Sequence, residues 1–323
     1  MKSATVFVSG GSGFLGSRLI PALRLAGYEV RALSRSTQSA AVVADRGAVP
    51  VTGGLGDIAA LTQAMSGCSH VVHAAARHRD GGSLAAHHRD NVVGTQHMLT
   101  AAQAAGVRRF VSVGAAMCLL GGKPIENADE SWPLNEPRYS HYARTKTVAD
   151  RAVLAANREG FATIVVRPGW IWGPGDPQTE SIVAAARTGR LRLIDGGRYP
   201  IVTSHIDNTV EGIELALDRG TGGQGYYVFD DGKIPIRDFI EQILAAHHLT
   251  APTKTIPRRM AWITASVMDA AWTILQRPGQ PPISRLMVTL NGGPFLVTDH
   301  KARRELQYMP VITREDAFAA LTH

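Results

Sequence analysis

The chain has 323 residues, of which 45% are hydrophobic and 19% charged, with a formal net charge of +7. That length and balance fit one large globular unit, or a large and a small one, and exclude a disordered or fibrous chain. No run of about eighteen apolar residues occurs, the basic residues sit in scattered pairs (Arg108-Arg109, Arg258-Arg259, Arg303-Arg304), and Cys68 and Cys118 have no metal or CxxC spacing; a transmembrane helix, a nucleic-acid partner and a disulfide framework are not expected. Met1-Lys2-Ser3 runs straight into a strand without the apolar core of a signal peptide, so the expected location is cytoplasmic.

In chain order, apolar strands alternate with amphipathic helices, which predicts a parallel sheet covered on both faces. Strands are expected at 4–9, 29–33, 48–51, 70–73, 110–113 and 162–166. Helices are expected at 14–26, 38–46, from Ile58 to near Gly67, at 83–105 and at 139–158, with a long loop carrying Gly121-Gly122 and Pro124 before the last. Beyond Arg167-Pro168 the pattern changes, with dense Pro and Gly, helices near 236–247, 258–275 and 299–306, and a Pro-rich break at 278–282. The expected fold class is α/β, a doubly wound parallel sheet of the Rossmann type with a smaller C-terminal substrate domain. The expected division is 1–170 with 203–230 returning to it, against 171–202 and 231–323.

The first strand ends in Gly10-Gly11-Ser12-Gly13-Phe14-Leu15-Gly16. Glycines at 10, 13 and 16 remove side chains where a phosphate approaches the backbone. The N–H groups of the helix that begins at Phe14 and Leu15 then favour a pyrophosphate. The spacing is G-x-x-G-x-x-G, and it points to a dinucleotide. Further along, Tyr142 and Lys146 lie one helical turn apart on one face. A free phenol has a pKa near 10, and a neighbouring ammonium favours its phenolate. That pairing suits general acid/base chemistry between a carbonyl and an alcohol.

Together with Gly56-Asp57, His73-Ala74-Ala75, Asn91-Val92-Val93-Gly94-Thr95 and Arg167-Pro168-Gly169, these motifs resemble the extended short-chain dehydrogenase/reductases, the NAD-dependent epimerase/dehydratase superfamily. His205-Ile206-Asp207-Asn208 is similar to that family's HVDN segment. Pro281-Pro282-Ile283-Ser284-Arg285 and Lys301–Tyr308 resemble its 3β-hydroxysteroid dehydrogenase-like branch. The resemblance implies that Tyr142 and Lys146 are catalytic, with Lys146 also holding a ribose hydroxyl. It implies that Asp57 and Ile58 flank the adenine, that Ala74 and Ala75 line the cofactor groove, and that Pro168 and Ile171 meet the nicotinamide end. Asp57 also reads as a helix N-cap, and both roles can hold together. Asn91 would be structural. A homodimer through the helices at 83–105 and 139–158 is a further implication.

At two places the chain departs from the family pattern. The usual catalytic Ser or Thr after the fifth strand is matched by Ala115, or by Ala116 if the register slips. Either a nearby hydroxyl or backbone group stands in, or the substrate or the tyrosine alone suffices, or the protein is catalytically weak and binds its ligand as a sensor. At the end of the second strand Ser34 replaces the family's acid and Arg35 follows. A guanidinium can pair with a 2′-phosphate, so NADP(H) is expected over NAD(H). The histidines form no coherent ligand set, and no metal is expected. The nearly uncharged stretch 260–275 reads as a core helix, as the wall of an apolar pocket, or as a peripheral membrane contact; Trp170 and Trp172 could line the same pocket. The expected activity is an NADP(H)-dependent ketone/alcohol oxidoreductase with a hydrophobic small-molecule substrate. The alternative is nucleotide-sugar epimerase or dehydratase chemistry, weakened by Trp170 where those enzymes carry Asn.

Overall fold

The computed structural model describes residues 4–78, 82–121, 124–275, 277 and 281–321. Met1-Lys2-Ser3, Gly122 and residues 278–280 of the Pro-rich break lie outside the described residues. Seven strands form the central sheet: β1 (Thr5–Ser9), β2 (Glu29–Ser34), β3 (Val49–Thr52), β4 (His70–His73), β5 (Arg109–Val113), β6 (Ala162–Pro168) and β7 (Gln224–Val228). Their spatial order is β7-β6-β5-β4-β1-β2-β3, and every pairing is parallel. Val6 of β1 lies between Val30 of β2 and His70 of β4. The chain order reverses there, so the carboxyl ends of β1 and β4 flank a crevice.

The crossovers are helical: α1 (Phe14–Leu25), α2 (Thr37–Asp45), α3 (Ile58–Met65), α4 (Leu84–His87), α5 (Gly94–Ala104) and α6 (His141–Ala155). After β6 come α7 (Pro177–Arg187), α8 (Ile206–Arg219), α9 (Ile236–Ala246), α10 (Arg258–Ile274), α11 (Arg285–Asn291), α12 (His300–Glu305) and α13 (Arg314–Ala320). Strand side chains alternate between faces, and both faces are buried. Val6, Val8, Val72 and Val111 pack against Leu19 and Leu23 of α1 and Ile213 of α8. Phe7, Val71 and Phe110 face the other way, onto Leu61 of α3 and Met98 of α5. A third apolar cluster, built around Trp172, Phe239, Ile243 and Phe318, joins α9 to α13.

Two expected features are wound differently. The helix at 83–105 is α4 and α5 joined by a π-helical segment, His88–Val93. The loop after β5 contains a 3₁₀ turn, Ala116–Leu119, and a short strand, Ile125–Ala128, which pairs in parallel with Phe295–Val297. That strand's partner lies far down the chain, so no local periodicity announces it.

Candidate active site at the carboxyl ends of the strands

The glycine turn follows β1. Gly10 has φ +79°, and a Cβ there would stand 2.7 Å from the Ala75 nitrogen and 2.8 Å from the Ala74 carbonyl carbon. Only glycine lets the 74–75 backbone close against the turn. A Cβ on Gly16 would run into the Gly11 carbonyl, so α1 packs directly on the turn it follows. Gly13 donates to the Gly10 carbonyl at 3.1 Å and stands as the N-cap of α1, whose first turn contains no acid. The first N–H groups of the helix have no side-chain cap, and the macrodipole adds positive character. Gly10, Gly13, Phe14, Leu15 and Gly16 thus form a cradle that fits a pyrophosphate.

Arg46, which sequence reasoning missed, donates through Nη1 to the Gly11 and Gly13 carbonyls at 2.5 and 2.9 Å. It tethers the end of α2 to the turn. Arg35 is exposed just past β2, one residue before Ser36, whose hydroxyl caps α2 in a reciprocal bond pair with Ser39. Ser34 is buried and bonds the Ala32 carbonyl. Asp57 caps α3 by accepting from the Ala60 nitrogen at 3.0 Å, and Ile58 begins that helix.

Across the crevice, Ser140 caps α6 and sets its first turn. Tyr142 and Lys146 are nearly buried on that helix, 8% and 6% exposed. The Tyr142 ring lies 5.1 Å from that of His78. Lys146 donates through Nζ to the Val113 carbonyl at the end of β5, 2.6 Å away. Burial pushes its ammonium pKa down, and Asp150, one turn further along, opposes that shift. Asp150 in turn accepts from Nε of Arg167 at 2.8 Å, with both side chains nearly out of solvent. The site thus stands over a buried row of cation, anion and cation.

A hydrogen-bonded chain links the two halves. The Ala75 nitrogen donates to Ser9 Oγ at 3.3 Å, and Ser9 Oγ lies 2.7 Å from His73 Nδ1. His73 Nε2 lies 3.0 Å from Thr95 Oγ1, which donates to the Asn91 carbonyl. Because the Thr95 proton goes to Asn91, Thr95 accepts from His73. The assigned imidazole is therefore neutral and protonated on Nε2, with Ser9 donating to Nδ1. Burial, with the Lys146 charge adding to it, holds the His73 pKa down to about 3. Asn91 then donates to Thr145 of α6 at 3.0 Å and accepts from the Arg77 nitrogen at 2.6 Å.

At the far end, Pro168 closes β6. Ile171 lies in the short strand Trp170–Trp172, which pairs in parallel with Thr203–His205. One buried carboxylate, Asp230, holds this corner. It accepts from Trp172 Nε1, Thr203 Oγ1, the His205 nitrogen and Asn208 Nδ2 at 2.6–2.8 Å. Nothing local to Asp230 signals that role, since its partners lie on other elements.

Two expectations about apolar residues need correction. Trp172 is fully buried against His205, Phe239 and Phe318, and Trp170 packs on Phe239; they belong to the α9 core, not to a pocket shared with α10. Nor is α10 a core helix. Its buried side chains are Ala261 and Ala265, while Met260, Ile263 and Val267 are exposed. Its Trp262 instead helps to wall a cleft with Leu120, Ile125, Tyr139 and Phe295. Tyr139 and Trp262 meet edge to face at 5.9 Å, three residues ahead of Tyr142. The segment Gly114–Leu120 contains no hydroxyl side chain. Ala115 is nearly buried, and burial pushes the Cys118 thiol up to about 12.

A profile of the NAD dependent epimerase/dehydratase family matches residues 6–228. A 4-hydroxy-2-methyl-3-oxo-4-farnesyl-3,4-dihydroquinoline-1-oxide ketoreductase from Stigmatella aurantiaca is 39% identical, over 98% of this chain and 95% of its own. A 2-alkyl-3-oxoalkanoate reductase from Stenotrophomonas maltophilia is 32% identical, over 98% of each chain. The solved dTDP-glucose 4,6-dehydratase from Streptomyces venezuelae superposes with a TM-score of 0.76 at 23% identity, covering 98% of this chain and 95% of its own, which shows the shared fold. The glycine cradle, the Tyr142–Lys146 helix and these matches together place the chain in the NAD-dependent epimerase/dehydratase family, the extended short-chain dehydrogenase/reductases, as an NAD(P)-dependent oxidoreductase of that type.

Proposed function

We propose that the protein is an NADP(H)-dependent ketoreductase that interconverts a ketone and an alcohol on a hydrophobic molecule. The observation that carries this reading is Tyr142 and Lys146 on one buried face of α6, across the crevice from the glycine cradle. When bound, the nicotinamide cofactor supplies or takes the hydride. In the reducing direction Tyr142 gives its phenolic proton to the carbonyl oxygen as the alcohol forms, and is reprotonated from solvent. Lys146, fixed by the Val113 carbonyl, favours the transient phenolate. The cradle binds the pyrophosphate, Asp57 and Ile58 flank the adenine, Ala74 and Ala75 line the groove, and Pro168 and Ile171 meet the nicotinamide end.

The apolar cleft of Leu120, Tyr139, Trp262 and Phe295 supports a hydrophobic substrate. The names of both bacterial relatives describe a 3-oxo group in a molecule bearing a farnesyl or alkyl chain. For this chain that suggests an alkylated 3-oxo compound. The exposed Arg35 beside the α2 cap supports pairing with a 2′-phosphate. Steady-state kinetics test this directly. Wild type should show at least about a tenfold higher kcat/KM with NADPH than with NADH, corresponding to roughly 1.4 kcal/mol or more. Arg35→Ala should bring the two together by weakening NADPH. Comparable kcat/KM values in the wild type, or an Arg35→Ala variant that keeps its NADPH preference, would refute the assignment.

A further inference from the structure

Helix α10 is amphipathic the wrong way round for a core helix. Its small residues Ala261 and Ala265 face inward, against Ile194 and Val288. Its large ones face out: Met260 is 58% exposed, Ile263 64%, Val267 66% and Ile274 78%. These positions recur at helical spacing and form one stripe, which Leu275 extends past the last turn. The ends of the helix are basic, with Arg258 and Arg259 at the start and Arg277 just beyond the end, its guanidinium over the Trp272 ring. The neighbouring acids are engaged. Asp195 accepts from the Arg258 backbone nitrogen, and Asp269 is paired with Arg285 at 2.9 Å. The cleft lined by Trp262 and Tyr139 opens beside the first turn of the same helix.

We propose that α10 seats the protein on an anionic membrane surface, with Met260, Ile263, Val267 and Ile274 among the acyl chains and the flanking arginines at the headgroups. An apolar stripe with cationic residues at its ends is the composition of an interfacial helix. A second copy of the chain fits this face poorly. Both ends of the helix are basic, so pairing it with itself, parallel or antiparallel, sets arginine against arginine. The cleft would then open at the bilayer surface, where an apolar ketone partitions; that consequence rests on the ketoreductase reading, and the binding itself does not.

Vesicle flotation with the full chain separates the two. Wild type should float with phosphatidylcholine vesicles that contain phosphatidylglycerol, and much less with phosphatidylcholine alone or at high salt. Ile263→Glu/Val267→Glu should lower partitioning at least about tenfold while keeping wild-type far-UV circular dichroism, since both side chains are exposed. Arg259→Gln/Arg277→Gln should lower it by about fivefold per arginine on the anionic vesicles. Absence of flotation in the wild type, or flotation of the double glutamate variant at the wild-type level, would overturn the proposal. So would a wild-type dimer that fails to float and becomes monomeric in the glutamate variant, because a second copy would then cover the face. None of these readouts depends on turnover.

Discussion

Arg167 is the residue on which the buried charges under the site depend. Its guanidinium is 2.8 Å from Asp150, and Asp150 in turn supports the ammonium of Lys146 against the cost of burial. Arg167→Met would leave the Asp150 carboxylate buried and unpaired. Losing one partner of such a pair typically costs about 3–5 kcal/mol, so the urea midpoint should fall sharply. A midpoint within error of wild type would show that the pair adds nothing. His73 makes a second statement at this scale. Its folded pKa, about 3, lies below the ordinary value of 6.5, because burial disfavours the charged ring and the Lys146 charge adds to that effect. The sign follows: its contribution is fully present above about pH 6.5 and is lost as pH falls from there towards 3. Over that interval unfolding takes up one extra proton, a slope of about 1.4 kcal/mol per pH unit. His73→Gln should flatten the acid limb of stability against pH; an unchanged slope would assign it to other groups. Among single residues the sequence was informative where chemistry is local. Tyr142, Lys146 and the three glycines announce themselves by spacing. Arg46, Asp150 and Asp230 act on atoms brought to them by other elements, and no spacing encodes that.

At the scale of elements, the connection from β5 to α6 separates this chain from the usual family pattern. Leu120, just past the 3₁₀ turn Ala116–Leu119, and Ile125 of the strand Ile125–Ala128 bring apolar side chains to the cleft, while the segment that normally carries a Ser or Thr supplies alanine. A missing donor to a developing oxyanion is typically worth about 2.7–4 kcal/mol. If nothing replaces it, Ala115→Ser should raise kcat on a ketone the enzyme reduces by up to about 10²–10³-fold. An unchanged kcat would mean that a backbone group or the substrate itself already meets the need. The π-helical segment His88–Val93 is a second local departure. It carries Asn91, whose side chain joins the Arg77 backbone to Thr145 of α6, so the irregular turn lies on the hydrogen-bonded path from Ser9 and His73 to α6. π-Bulges are frequent at functional sites. The sequence reads this region as one plain helix because the apolar pattern continues across the extra residue per turn. Helix α10 misleads for a different reason. Apolar composition alone does not tell which face of a helix is inward, and here the alanines took that place.

For the molecule as a whole, the parallel order β7-β6-β5-β4-β1-β2-β3 puts the glycine turn and α6 at opposite ends of one crevice. The parallel, doubly wound sheet up to β6 was legible, because strand and helix periods alternate cleanly through the first half; β7 was not among the expected strands. The second half was not legible, since its short strands pair with distant segments, as Thr203–His205 does with Trp170–Trp172. Hydride and proton transfer at the crevice are tested most directly by following NADPH absorbance while a long-chain 2-alkyl-3-oxo compound is converted, with products identified by mass spectrometry. The expected result is one NADPH consumed per alcohol formed. Tyr142→Phe should fall by roughly 10²–10⁴-fold while NADPH binding changes little. Conversion of a nucleotide sugar without net NADPH consumption, or full turnover in Tyr142→Phe, would contradict it.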